Sequence, residues 1–439
     1  MTAEWRQHEV SALISEGKLF VGDGYRAKNE ELSASGLPFA RAGNIDNGFN
    51  FNDADHFPER DLARVGNKMS QPGDVVFTSK GTVGRFAFVR PDTHRFLYSP
   101  QLCFWRSLDH EHLNPRFLYY WMFGREFFVQ FKGVAGQTDM AEYVSLTDQR
   151  RMHITLPSLD EQRAIAHILG TLDDKIELNR RVNETLEAMA RAIFKSWFVD
   201  FDPVRAKMEG RDPSLPKSIA DLFPDRFEDS ELGEIPAGWE VGPILKQAKL
   251  LSGGTPKTDR KEYWDGDVFW ASAKDVSQCG QTFLIRTDRS ITHKGLEDSA
   301  TQLIPAYCTV VVARGATTGR MAMFGYEMAM NQTCYALAST FDTPFSLYCC
   351  LQHQMDNLVH AAHGSVFDTI TTSTFASSKF VLPSTSVLKA FEQTISPLFH
   401  RILEATEQIQ TLAALRDALL PKLVSGELRM PDFAVRRGA

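Results

Sequence analysis

Nothing in this chain reads as a catalyst. The phosphate loop G-x-x-x-x-G-K-[ST] is absent, which excludes ATP hydrolysis of that type. The Asn-Pro-Pro-aromatic signature of adenine methyltransferases is missing, as are a G-x-S-x-G nucleophile elbow and an H-E-x-x-H helix. The twelve histidines fall without metal-ligand spacing, and only His360 and His363 are close enough to weigh as a pair. No nuclease-like carboxylate–lysine cluster stands out. Cysteine is scarce: six residues, no C-x-x-C pair, and the neighbours Cys349 and Cys350 suit neither a metal knuckle nor a routine disulfide. Buried reduced thiols in a cytoplasmic protein are expected. The opening residues Met1–Trp5 lack a basic segment followed by an apolar one, so no secretory signal is expected, and no apolar run is long enough to span a bilayer. A basic excess is missing too. The net charge of −7 means that any contact with nucleic acid rests on local clusters or on a more basic partner.

What is present is one pattern written twice. Gly73-Asp74-Val75-Val76-Phe77-Thr78-Ser79-Lys80-Gly81-Thr82-Val83-Gly84-Arg85 returns as Cys308-Thr309-Val310-Val311-Val312-Ala313-Arg314-Gly315-Ala316-Thr317-Thr318-Gly319-Arg320. Downstream, Gln101-Leu102-Cys103 returns as Gln332-Thr333-Cys334, Leu118-Tyr119 as Leu347-Tyr348, Gly136 as Gly364, and Leu156-Pro157 as Leu382-Pro383. Each copy runs into a helix-forming segment with a Glu-Gln pair near its start, Glu161-Gln162 and Glu392-Gln393. Two related halves imply two related jobs on a partner that itself has two halves. The 439 residues allow about three domains.

Each copy holds a strand, a polar glycine turn and a returning strand: Val75–Phe77 and Phe86–Val89, then Thr309–Val312 and Met321–Phe324. From residue 158 to 198 the period changes. Ile165, Ile168, Leu169, Leu172, Ile176, Val182, Leu186, Met189, Ile193 and Trp197 recur at steps of mostly three or four, the stripe of a long amphipathic helix. The second copy runs through Ile395, Leu398, Phe399, Ile402, Ile409, Leu412, Leu415, Leu419 and Leu423, with Pro397 in its first turns and Pro421 and Gly426 at its end. About 35 residues make a rod on the order of 50 Å. The simplest partner for each stripe is the other. Asn179 and Asn183 interrupt the first stripe, either to set its register or to face solvent. The approach from Leu382 to Glu392 is longer than its counterpart, so unequal arms are expected. The expected division is 1–157 and 237–385 for two β-rich domains, 158–201 and 386–428 for two spacer helices, 202–236 for a proline-containing, charged linker, and 429–439 for a tail. The fold class is α+β, with two pseudo-repeated β-rich domains separated by a pair of long antiparallel coiled-coil helices.

Candidate binding residues sit on the repeated turns: Lys80, Thr82 and Arg85 on one, Arg314, Thr317, Thr318 and Arg320 on the other. A glycine turn brings the backbone close to a phosphate, and hydroxyl and guanidinium groups donate to phosphate oxygens or base edges. A plain β-turn with solvated basic ends explains the same residues. Arg26 and Lys28, then Arg41 and Asn44, interleave with aromatics in the first block, as Thr255, Lys257, Lys274 and Asp275 do beside Trp264 and Trp270 in the second. Arg suits guanine, Asn adenine, and Asp accepts from cytosine. Gln101 and Gln332 complete the set. The tryptophans fit the core equally well.

At this point the chain resembles the specificity subunit of a type I restriction–modification enzyme, over nearly its whole length. Leu156-Pro157-Ser158-Leu159-Asp160-Glu161-Gln162-Arg163-Ala164-Ile165, continuing to Phe194-Lys195-Ser196-Trp197-Phe198-Val199-Asp200-Phe201-Asp202-Pro203-Val204, is similar to that family's central conserved region. Ile235-Pro236-Ala237-Gly238-Trp239 resembles the start of its second recognition domain, where Gly254-Thr255-Pro256 and Lys274-Asp275-Val276 also have counterparts. The run from Leu415-Arg416-Asp417-Ala418-Leu419-Leu420-Pro421 to Leu428 resembles its C-terminal conserved region. The resemblance implies two target-recognition domains held apart by a helical spacer, reading two short DNA sequences across a non-specific gap. Two methyltransferase subunits would dock on the helices and two motor–nuclease subunits would join them. S-adenosylmethionine, ATP and Mg2+ would belong to those partners, with no cofactor on this chain. The rival is a coiled-coil protein-binding scaffold with no DNA role; an enzyme without familiar motifs is third.

Overall fold

A computed structural model describes residues 4–46, 48–79, 84–135, 144–362 and 369–430. The chain divides into two units, 1–175 with 411–439, and 176–410.

In the first unit, strand Arg6–Glu9 pairs antiparallel with His153–Leu156 and ties the start of the domain to its end. A four-stranded sheet runs in the order Leu19–Asp23, Leu102–Ser107, Val75–Thr78, Phe86–Phe88, beside a three-stranded sheet of His56–Phe57, Leu37–Ala40 and Leu97–Tyr98. The apolar run Val75-Val76-Phe77 shows no alternation because both of its faces are covered. Val75 and Phe77 pack with Trp105 and Trp121, whereas Val76 packs with Phe104 and Tyr98 on the other side. Below this strand Arg106 holds the buried Asp74 through Nε (2.6 Å) and Nη2 (2.8 Å), and Tyr98 Oη donates to the same carboxylate at 2.7 Å.

The second unit repeats this wiring. Its larger sheet runs Ala248–Ser252, Cys334–Ser339, Thr309–Val312, Met321–Phe324, with Phe283–Leu284 added at the edge. Its other sheet holds Arg289–Ile291, Trp264–Ala271, Met328–Met330 and Leu303–Ile304. The one parallel pair of the smaller sheet recurs as well: Phe39 faces Leu97 in one copy, and Trp270 faces Ala329 in the other. Strand Glu240–Gly242 pairs with Phe380–Leu382 as Arg6–Glu9 does with His153–Leu156, so the repeat begins at Trp5 and Trp239.

The ladders correct two echoes. Thr78 N bonds the Arg85 carbonyl where Val312 N bonds that of Arg320, so Thr78 corresponds to Val312 and Asp74 to Cys308, one residue away from the sequence match. Leu102 stands opposite Thr78, and Cys334 stands opposite Val312. Ser79 N bonds the Gln101 carbonyl where Ala313 N bonds that of Thr333. Gln101 therefore corresponds to Thr333, one residue away from the sequence match to Gln332.

The long helices span Leu159–Phe198 and Thr385–Val424, forty residues each. Within the second unit Asn179 Nδ2 donates to Gln408 Oε1 (3.1 Å) and Asn183 Nδ2 to Thr406 Oγ1 (3.2 Å). Within the first, Arg416 Nη1 meets Asp173 Oδ1 (2.9 Å) and Arg429 Nε meets Glu161 Oε1 (2.8 Å). Rising numbers along the first helix meet falling numbers along the second and the residues just after it, so in each unit the two run antiparallel. Asn179 and Asn183 are buried on the seam, and Met189, placed on the stripe by spacing, is exposed. The expected inequality of the arms is not in their approach: each helix starts three residues after its Leu-Pro leucine, at Leu159 and at Thr385. The extra residues are an added turn inside the second helix, because the offset grows from 226 at Leu156/Leu382 to 230 at Gln162/Glu392. Four residues are close to one turn of 3.6, so the helix keeps its face. Pro397 lies well inside this helix, where Ser396 Oγ donates back to the Glu392 carbonyl (2.6 Å). The helix also continues through Pro421, and Gly426, with φ +74°, follows its end.

Residues 202–236, read from sequence as a linker, are built. They form helices Asp202–Met208 and Lys217–Ala220 and the hairpin Phe227–Ser230 with Gly233–Pro236. Val204, Phe223 and Ile235 are buried against Trp197 and Trp239 at the end of the first long helix. Charge and proline concealed three apolar anchors. Among the described residues no helix is long and apolar enough to cross a membrane. The six cysteines are free, and burial pushes the Cys334 and Cys350 thiols up to about 12, which leaves them unreactive near neutrality.

Candidate nucleic-acid interface

In the first unit the candidate residues gather at one end of the sheets. The strand ends at Asp23 and Thr78 flank the start of Leu102–Ser107, and Ala40 leads into the 3-10 helix Ala42–Ile45. Arg85 leaves the glycine turn and joins this helix: Nη1 donates to the Ala42 carbonyl (3.2 Å), and Nη2 lies 3.3 Å from Asp46 Oδ2. Gln101 Oε1 accepts from Ala42 N (3.1 Å). Arg41 is exposed, pairs with Asp55 at 2.6 Å, and lies over the Phe39 ring. Arg26 and Lys28 are exposed on the loop after Leu19–Asp23. Lys80 and Thr82 lie outside the described residues.

The second unit presents the same frame with other side chains. Gly24 and Gly253 occupy one position: an added Cβ would stand 1.9 Å from the Ser99 carbonyl oxygen and 2.3 Å from that of Asn331. Only glycine lets the loop pass the neighbouring strand so closely. Counting on from these glycines, Thr255 occupies the place of Arg26, and Lys257 that of Lys28. Thr255 Oγ1 donates to Gln332 Oε1 at 2.5 Å, and Lys257 is exposed. Arg314, Thr317 and Arg320 are exposed on the turn, whose bend rests on Gly315 (φ +101°) and Gly319 (φ +88°). Thr318 Oγ1 donates back to the Gly315 carbonyl (2.7 Å), a bond internal to the turn.

Two candidates take a different role. Asn44 Oδ1 accepts from Arg41 N (2.8 Å), and Asn44 Nδ2 donates to the Asn50 carbonyl (2.9 Å). Asp275 Oδ2 accepts from Ser272 N (2.8 Å) and Ser272 Oγ, and its Oδ1 accepts from Asp288 N (2.9 Å). These are one position of the repeat, the third residue of a short helix, where a side-chain oxygen returns to the residue before the first turn. These bonds give Asn44 and Asp275 a structural role inside their own domain, which the expected adenine and cytosine contacts would have to share. Lys274 keeps its freedom. Its pair with Asp288 (2.8 Å) is exposed on both sides, and the carboxylate raises the ammonium's pKa, so the charge is present at neutral pH. Exposed pairs of this kind hold their partners weakly, so Arg41 and Lys274 are both available to another acceptor.

Sequence reasoning missed Arg289, whose guanidinium lies 3.4 Å above the Trp264 ring and 5.8 Å from that of Trp270. Both tryptophans are buried, so they belong to the core. The arginine reaches them across a strand pair in which Trp270 faces Arg289, nineteen positions on in the chain, and no local spacing marks that pairing. Lys68, which ties Asp23 Oδ1 (2.8 Å) and the Gly24 carbonyl (2.9 Å), was missed for the same reason. Among the described residues no group of three or more His, Cys, Asp or Glu could hold a metal ion, and His363 lies outside them.

Comparison with known proteins places this frame. The family model described as the type I restriction modification DNA specificity domain matches residues 13–188 and again 236–415. The specificity subunit of the type I restriction enzyme HindI from Haemophilus influenzae is 26% identical over 416 residues, covering 84% of this chain and 89% of that one. The MjaIX specificity subunit from Methanocaldococcus jannaschii is 26% identical over 372 residues, covering 82% and 79%. A crystal structure of an S subunit from M. genitalium superposes with a TM-score of 0.61 over 96% of each chain at 13% identity, a likeness of fold. None of these supports the scaffold alternative. One matched segment falls on each copy of the repeat and runs on into its long helix, and the chain belongs to the type I restriction–modification DNA specificity family.

Proposed function

We propose that this chain is the sequence-reading subunit of a type I restriction–modification complex, and that each copy of the repeat reads one half of a split double-stranded DNA target. The observation that carries the reading is the recurrence of one loop frame in both units with different side chains on it: Arg26 against Thr255 and Arg41 against Ser272, beside a lysine common to both, Lys28 and Lys257. A shared frame with unlike tips is what two readers of two different short sequences require, since phosphate contacts position and base contacts specify. In this reading 1–157 and 237–385 are the target-recognition domains, and the long helices are the spacer on which the other subunits dock.

Catalysis belongs to those partners: two methyltransferase and two motor–nuclease subunits, carrying S-adenosylmethionine, ATP and Mg2+, working in the cytoplasm where the DNA is. Their charge would complement a chain of net −7. Mapping methylated adenines across the genome of the host tests the whole reading. Two short defined sequences at one fixed separation are expected; methylation at a single continuous sequence, or none that depends on this chain, would overturn it.

A further inference from the structure

The repeat supplies its own control for a cavity of the second unit, because a buried tryptophan stands at the equivalent place in the first. In the second unit a cavity of about 330 Å³ lies between the end of the first long helix, helix Pro344–Ala362 and strand Phe380–Leu382. Phe198, Leu347, Cys350 and Val381 form apolar walls, and His353 and Asn357 stand among the polar groups. This is within the size range of small-ligand sites.

The first unit holds the same elements. Leu118 corresponds to Leu347, so Trp121 occupies the position of Cys350. Thr155 corresponds to Val381 by the matching strand ladders, in which Leu156 and Leu382 each close the pair. Trp121 is fully buried there. Its indole Nε1 donates to Glu126 Oε2 (2.7 Å), and the same carboxylate accepts from Thr155 Oγ1 (2.7 Å). The indole therefore lies beside the counterpart of a cavity wall. Val424, from the end of the second long helix, closes against Gly124, the counterpart of His353. One copy of the fold fills this space with its own tryptophan; the other places a cysteine there and leaves the space open.

We propose that the cavity of the second unit is a binding site for an aromatic group of indole size supplied from outside the chain. The first copy demonstrates that these elements close around an indole without distorting the domain, so the site is formed before its ligand arrives. The walls offer rings for edge-to-face contact, with His353 and Phe194 centroids 5.9 Å apart on one side. Polar groups at the cavity suit a ring that carries a hydrogen-bonding handle.

The test is titration of the full chain with indole and with N-acetyltryptophanamide, followed by ligand-observed NMR and calorimetry. Saturable binding of indole with a Kd of about 1 mM or tighter is expected, as for a ring of nine heavy atoms in a formed pocket. Cys350→Trp installs the residue of the first copy and weakens that binding by at least about tenfold. Binding of both probes assigns the ring to a side chain offered by a partner polypeptide; binding of indole alone assigns it to a free small molecule. Absence of saturable binding overturns the proposal, and so does binding that Cys350→Trp leaves unchanged. Should Cys350→Trp fail to fold, Cys350→Phe carries the same comparison with a smaller ring.

Discussion

At the scale of single residues, two kinds of side chain looked alike in sequence and separate in space. Asn44 and Asp275 carry groups that could read a base edge, yet both hold the start of a short helix, because a carboxylate or amide three residues after a helix boundary finds backbone N–H groups first. Arg41 and Arg314 are exposed and remain the stronger reading candidates. Arg314→Ala is expected to relax base preference in one half of the target only, by about 1–3 kcal/mol at the affected position, and Arg41→Ala in the other half. Binding selections with the assembled complex read this directly; equal loss in both halves would reassign these residues to folding. Asp74 has a different job. With Arg106 and Tyr98 on its carboxylate in the core, Asp74→Ala is expected to cost about 3–5 kcal/mol, measured by urea unfolding, because it leaves a buried guanidinium uncompensated. The second copy has Cys308 at this position and no such pair to lose.

At the scale of elements, the start of each long helix caps a helix of its own domain. Gln162 Oε1 accepts from Asn114 N (2.9 Å) beside helix Pro115–Trp121. Glu392 accepts from Phe345 N (3.1 Å), Ser346 N (2.8 Å) and Ser346 Oγ (2.6 Å) at the start of Pro344–Ala362. The spatial counterpart of Gln162 is therefore Glu392, one place off the Glu-Gln match seen in sequence. Burial raises the Glu392 pKa above its ordinary 4.5, although the N–H and hydroxyl donors pull it down. A carboxyl that holds its proton longer when folded contributes stability below the unfolded pKa and loses it as pH rises through the folded one. Wild type is therefore expected to lose stability from pH 4.5 upward through this group, and Glu392→Gln to remove that component; chemical denaturation at a series of pH values checks the difference.

On the seam between the long helices Asn183 Nδ2 donates one hydrogen bond to Thr406, but its buried Oδ1 has no partner among the described residues. Asn183→Leu is accordingly expected to raise the unfolding free energy by about 1 kcal/mol, since an unmet buried acceptor costs more than one neutral hydrogen bond returns. A lower free energy in the same assay would show that the asparagine is satisfied by water.

At the scale of the whole molecule, the two units are variants of one design, with matching strand orders, a matching parallel pair and matching terminal strands. Each unit also takes in the start of one long helix and the end of the other. In the proposed function this helix pair sets the gap between half-sites. Deleting one heptad from the first helix removes about 10 Å of rise, and is expected to change the gap in the recognised sequence while leaving both half-sites intact. Methylation mapping in cells carrying the shortened chain decides it, and an unchanged gap would refute the ruler.

Sequence alone determined what depends on local chemistry and on repetition: the duplication, the β-rich blocks around Val75–Thr78 and Thr309–Val312, the two long amphipathic helices and the family. Hydrophobic period and glycine placement encode those directly. Tertiary structure decided what depends on partners distant in the chain. It moved Gln101 onto Thr333 and Gln162 onto Glu392, because a register is set by hydrogen bonds to other strands and helices and not by identity of letters. It turned 202–236 from a tether into a packed segment, because three buried side chains outweigh the charge around them. It left Cys350 facing open space where Trp121 faces none, because the volume around a residue belongs to its neighbours.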